Sequence, residues 1–122
     1  MRIAAVTAAM LLACVAATAC LAAGSSKSKN SLYGAIAYHQ ASGSMGWATD
    51  RRTSREASIE ALKQCGHEQC VVVASVTRNC AALARNPKKF AVQKGATRQE
   101  AETKALSKCG VGCEIAVWTC TR

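Results

Sequence analysis

The chain has 122 residues, with 16 Lys and Arg against 7 Asp and Glu, and eight cysteines. That length holds one compact domain or two very small ones, which excludes a large multidomain enzyme. Half of the residues are apolar and only one is proline, which argues against a disordered chain, a Pro-rich linker or a collagen-like repeat.

Met1 and Arg2 precede an alanine-rich apolar run from Ile3 to Ala23, and Gly24 to Asn30 form a polar exit. This order predicts a secretory signal peptide over residues 1–23 and a flexible tether over 24–30. A membrane-spanning helix is the competing reading, but so much alanine drives insertion weakly. Ala17, Thr18 and Ala19 before Cys20 resemble a lipobox, which makes Cys20 a lipidation candidate and the membrane a tether point. Leu11, Leu12 and Ala13 before Cys14 are a second, shorter version. Ordinary cleavage near Ala22 or Ala23 would discard both cysteines. Either route places the protein outside the cytoplasm: secreted, periplasmic or lipid-anchored to a bacterial envelope.

Beyond the tether the chain repeats itself. Thr53 to Gly66 reads as a complete helix, and Thr97 to Gly110 reads as the same helix again, identical at seven of fourteen positions. Thr53 with Glu56, and Thr97 with Glu100, have capping-box spacing. Ala57, Ala61 and Cys65 recur every fourth residue with Leu62 beside them, and Ala101, Ala105, Cys109 and Leu106 match them. That is one narrow buried stripe per helix. Gly66 and Gly110 stand where a left-handed residue would stop each helix.

The flanks also correspond. Gly34 to His39 resembles Cys80 to Arg85, and Met45 to Ala48 sits in the region of Lys89 to Val92; Trp47 and Phe90 are read as corresponding residues that seal the two halves of one core. Cys70 to Thr77 resembles Cys113 to Cys120. These segments are β-branched or alternating and are bounded by Gly, Ser, Asn or Pro, the pattern of strands; Asn86 and Pro87 make a turn. Two tandem strand–strand–helix–strand units follow, residues 31–78 and 79–122. A unit of about 45 residues cannot bury a sufficient core alone. The predicted fold is therefore α+β, with the two repeats packed as a pseudo-twofold single domain.

Six cysteines remain after Cys14 and Cys20, an even number that suits a disulfide-stapled exported domain. A strand returning along its helix keeps Cys70 near Cys65, while Cys80 lies about 30 Å further on. The expected pairs are Cys65–Cys70, Cys109–Cys113 and Cys80–Cys120. Zinc held by the first four cysteines, with His67 nearby, is the rival reading, weakened by an oxidising compartment.

Gly34 to Tyr38, then Gly46, Trp47 and Ala48, then Ala57, Ala61, Leu62 and Cys65, then Cys70 to Val72 and Cys80 to Ala84 form an ordered set. That set resembles the family named domain of unknown function 4189 over nearly all of the mature chain. The resemblance implies small exported bacterial proteins built on cysteines and short strands. It supplies no catalytic residues.

Chemistry is sparse. Asp50 is the only Asp, and the helical glutamates read as caps or solvent-facing groups: Glu56 and Glu100 as caps, Glu60 and Glu102 exposed, Glu100 paired with Lys104. A triad of His39, Asp50 and a serine of Ser42–Ser44 can be drawn across one hairpin, but Ser42, Gly43 and Ser44 also read as ordinary loop chemistry. His67 is expected to be exposed. Trp118 alternates with Val117, so one of them faces out or anchors a groove between the units.

Charge is the most usable functional signal. Arg51, Arg52 and Arg55 precede the first helix, Lys88 and Lys89 are assigned to the matching region of the second unit, and Lys27 and Lys29 lie on the tether. Two symmetry-related basic patches are expected, facing an anionic partner such as lipid head groups, wall polymers or an acidic protein. No nucleic-acid motif is present, so specific nucleic-acid binding is not expected. The sequence reads as an exported, non-enzymatic binding protein with no cofactor, no metal and no catalytic residue. The alternatives are an inhibitor or immunity protein of an exported cell-wall hydrolase, and a small hydrolase using His39 and Ser42–Ser44.

Overall fold

A computed structural model describes residues 31–122; the segments expected as signal peptide and tether, with Cys14, Cys20, Lys27 and Lys29, lie outside the described residues. Unit 1 runs β1 (Tyr33–His39), β2 (Ser44–Arg51), α1 (Ser54–Cys65) and β3 (Val71–Thr77). Unit 2 runs β4 (Cys80–Arg85), β5 (Phe90–Gly95), α2 (Arg98–Cys109) and β6 (Glu114–Cys120). Each unit forms one antiparallel three-stranded sheet, ordered β2-β1-β3 in the first and β5-β4-β6 in the second.

The helices begin and end for local reasons. Thr53 and Thr97 are extended N-caps whose hydroxyls accept from the N–H of Glu56 and Glu100. The two glutamates reach back one residue beyond the cap, to the N–H of Arg52 and of Ala96, each at 3.3 Å. The threonines thereby satisfy a donor each helix leaves orphaned, and the glutamates hold the residue that enters the cap. Gly66 ends α1 in the left-handed region, at φ 71° and ψ 9°. Gly110 differs: φ is 98° but ψ is −164°, a conformation open in practice only to glycine.

Strand alternation sorts the core into layers. Ala35, Ala37 and Ala48 face Ala57, Ala61 and Cys65 of α1, while Ala82 and Ala84 face Ala101, Ala105 and Cys109 of α2. Ile36, Tyr38, Val76, Leu83 and Val117 point the other way and form the cluster between the two sheets. The order through the molecule is helix, sheet, sheet, helix. Small residues under each helix let it sit close to its sheet. A Cβ at Gly46 would collide with the Ala61 carbonyl oxygen. The larger side chains seal the middle, and Ile36 and Leu83 are fully buried there. Each contributes about 1.5–3 kcal/mol by leaving water. Leu62 and Leu106, expected within the buried stripe, lie at its margin and stay more than one-third exposed.

The contacts between units are reciprocal. β6 touches β1 and β2, and β3 touches their counterparts β4 and β5. This is the pattern of an isologous interface, so the units form one domain with a pseudo-twofold relation. Tyr38 meets Phe90 edge-on at 4.9 Å. The Thr49 and Thr119 hydroxyls hydrogen-bond at 2.8 Å, and Thr119 also donates to the Ala48 carbonyl.

Register corrects the sequence alignment of the strands. Ile36 stands opposite Trp47 and Ala74, and Leu83 stands opposite Val92 and Val117; a bulge follows each. Ile36 therefore matches Leu83, one residue off the alignment that put Gly34 with Cys80. Trp47 matches Val92, and Phe90 matches Met45. Trp47 lies at the rim of the inter-sheet face and is 45% exposed, so it does not seal the core as expected.

The structure joins Cys65 to Cys70, Cys109 to Cys113 and Cys80 to Cys120. The first two close the short turn after each helix. The third spans directly opposite residues of β4 and β6, where unit 1 has Tyr33 opposite Thr77.

Candidate functional site

The central strands β1 and β4 of the two facing sheets end near each other, so the two hairpin turns lie together at one end. In the first turn, Gly43 takes φ 76° and its N–H donates to the His39 carbonyl at 2.9 Å. In the second, the Asn86 side-chain oxygen accepts from the N–H groups of Lys88 and Lys89, at 2.7 and 2.8 Å. Two bonds cross between them. Arg85 Nη1 donates to the Gly43 carbonyl at 2.8 Å, and Gln40 Nε2 donates to the Lys88 carbonyl at 3.4 Å.

Between the turns lies an open groove of about 750 Å³, lined among others by Tyr38, Ser42, Met45, Arg85, Pro87 and Glu114. The Arg85 guanidinium lies 5.8 Å from the centre of the Tyr38 ring, close enough for cation–π attraction. Lys88 and Lys89 are exposed on the second turn. Lys89 Nζ extends beside Gly110, 2.9 Å from where a Cβ would sit there. A cation at that place complements the negative end of the α2 dipole.

Beside the groove, His39 Nδ1 and Ser42 Oγ are 2.7 Å apart, and Ser42 Oγ donates to Ser44 Oγ at 2.9 Å. His67 was expected to be exposed; it is half-buried, its ring stacked on His39 at 4.0 Å and 18°. Its Nδ1 accepts from the Gln69 N–H. No motif links these histidines in the sequence. The signal that could have found them is topological, since α1 returns the chain to the end where β1 finishes.

Three expectations need correction. The triad does not assemble: Ser44 pairs with His39 at one end of β2, while Arg51 pairs with Tyr33 at the other. Asp50 is therefore about 20 Å along the strand from His39, with a positive φ of 53°. The basic patches are not symmetry-related either. Arg51, Arg52 and Arg55 surround the junction into α1, whose counterpart is Gly95 to Thr97, while Lys88 and Lys89 occupy the counterpart of the Gln40–Gly43 turn at the opposite end. Trp118 does not line the groove. It packs on the α2 side of its sheet, 38% exposed, with the Arg98 guanidinium 3.9 Å from its ring centre.

The remaining charges pair in ordinary ways. Arg51 meets Glu60 at 3.7 Å, Arg98 meets Glu102 at 2.9 Å, and Lys104 meets Glu100 at 2.9 Å. The hydrogen bond from Lys104, then that from the Ala96 N–H, then the Lys104 charge hold the Glu100 carboxyl below its ordinary pKa. The four turn cysteines are oxidised and offer no thiolate to a zinc ion. Among the described residues, no three of His, Cys, Asp or Glu stand together to hold a metal.

The family described as Domain of unknown function (DUF4189) matches residues 33–120, and the chain belongs to that family. Protein Mb1300c of Mycobacterium bovis and Protein Rv1269c of Mycobacterium tuberculosis are each 39% identical over 89 residues, covering 73% of this chain and 69% of theirs. The NMR structure of Rv1813c from Mycobacterium tuberculosis is similar with a TM-score of 0.60 and 30% identity, covering 93% of this chain and 98% of that one.

Proposed function

We propose that this family member is an exported, non-enzymatic binding module that takes an anionic partner at the end carrying the two hairpin turns. The observation behind this reading is the groove between the turns, with Arg85 in its lining and Lys88 on its second turn. The opening suits a surface contact, and with Asp50 remote the His39–Ser42 pair has no carboxylate to orient it as a triad requires. Export accords with three disulfides in a domain of this size. The partner classes are anionic lipid head groups, acidic wall polymers, or an acidic face of an exported protein such as a cell-wall hydrolase.

The test is binding of oxidised protein to vesicles containing anionic lipid and to a soluble polyanion, at low and high salt. Lys88→Glu with Arg85→Ala should weaken binding at least tenfold at low salt, whereas Arg51→Glu with Arg52→Glu should have the smaller effect. The reverse ranking would move the site to the other end. A protein captured from envelope extract and retained at high salt would favour the inhibitor reading, because screened surface charge could not hold it.

A further inference from the structure

At the end opposite the groove, the pseudo-twofold breaks. Along the edge of β3 there is a hollow of about 210 Å³, lined by Tyr33, Ser54, Ser75, Thr77, Asn79 and Lys94 beside Val76. The matched positions for four of these in unit 2 are Cys80, Arg98, Trp118 and Cys120. There the indole of Trp118 lies under the Arg98 guanidinium and the Cys80–Cys120 bond spans the strand pair, so the equivalent space is occupied. Small hydroxyl side chains leave it open in unit 1.

The lining is chemically specific. The Asn79 side-chain oxygen is enclosed by protein and has no hydrogen-bond partner, so it lies behind the wall of the hollow and the exposed polar groups set its chemistry. Tyr33, Ser54 and Ser75 carry hydroxyls that can both donate and accept. Thr77 spends its proton on the Leu32 carbonyl, at 2.9 Å, and keeps its lone pairs. Lys94 is exposed and, among the described residues, is in no ion pair. No carboxylate lines the hollow. Several hydroxyls and one unpaired cation call for a ligand with hydroxyl groups and a single acidic group.

We infer that this hollow binds one acidic saccharide unit, its hydroxyls toward Tyr33, Ser54 and Ser75 and its acidic group toward Lys94. The site is remote from the groove, so it stands or falls independently of the function proposed above.

The experiment is an amide chemical-shift titration of the oxidised protein with glucuronate, glucose and inorganic phosphate in parallel, each to about 20 mM, a range that reads the weak affinity of a single small ligand. Glucuronate should give saturating shifts at Tyr33, Ser54, Ser75 and Asn79. Lys94→Ala should weaken it at least fivefold, and glucose should bind the native protein at least fivefold more weakly. Ser75→Trp, which installs the unit 2 side chain, should abolish the shifts while leaving the rest of the spectrum in place. The inference is overturned by no response at those residues, by shifts indifferent to Lys94→Ala, or by phosphate alone reproducing them.

Discussion

The two units share one chain path but differ in how they are fastened. Under the helices they agree closely: threonine caps, glutamates reaching back, and alanines every fourth residue facing alanines on the strand. At the far end they part. Unit 2 ties its outer strands with Cys80–Cys120 and covers α2's start with Trp118 and Arg98; unit 1 has Tyr33 opposite Thr77 and leaves a hollow. The repeat is retained where close packing under the helices admits only small side chains, and it differs where the outer strands are fastened.

Removing the fastening should have the largest effect. Chain-entropy reasoning gives a disulfide spanning 40 residues about 4 kcal/mol and one spanning five residues about 2 kcal/mol. Cys80→Tyr with Cys120→Thr, which gives unit 2 the residues of unit 1, should therefore cost roughly twice what Cys65→Ala with Cys70→Ala costs in chemical denaturation. Equal losses would mean that the long tie adds no more than a turn closure.

Next is the closest helix–strand approach. Gly46→Val places a Cβ against the backbone of Ala61 and Cys65, and overpacking of that severity should cost about 3 kcal/mol or more. Its counterpart Ala91 already carries a methyl group, so Ala91→Gly should cost about 1 kcal/mol. Matching losses would show that the two helices sit at the same height over their sheets. Smaller again, Thr53→Ala and Thr97→Ala should each cost about 1 kcal/mol, and equally, because their cap geometries agree.

The smallest effect concerns pH. Lys104 sits where unit 1 has Glu60, so only α2 carries the Glu100–Lys104 pair. Glu100 has a lowered pKa when folded. Its contribution is complete above the unfolded carboxylate range and is lost as pH falls through the folded value. Lys104→Ala should move the Glu100 titration, followed by carboxyl NMR, up toward the ordinary range.

Much of this architecture was legible in the residues. Helix limits could be read because caps, a period of four and terminal glycines act within a dozen neighbours. Turns of four or five residues limited which cysteines could meet. Strand register could not be read, because a bulge after Ile36 and another after Leu83 each insert a residue that no local preference announces. The first hairpin is also one residue pair longer than the second, and only β2 carries a bulge beside Tyr33, so equal spacing along the chain is not equal place in the sheet, and Trp47 stands with Val92 rather than Phe90. The groove and the stacked histidines depend on segments far apart in sequence, brought together only when the sheets meet.

The link between the units has a consequence for chain order. Arg78, at φ 59°, donates its N–H to the Thr121 hydroxyl, the Thr121 N–H donates to the Asn79 carbonyl, and Gly34 lies against Thr121. The start of β1, the end of β6 and the link itself therefore meet at one seam. A circular permutant that opens the backbone between Arg78 and Asn79 and splices Arg122 to Ser31 would exchange first half for second while preserving the sheet contacts. A permutant that folds with the same three disulfides would show that neither half has to be made first.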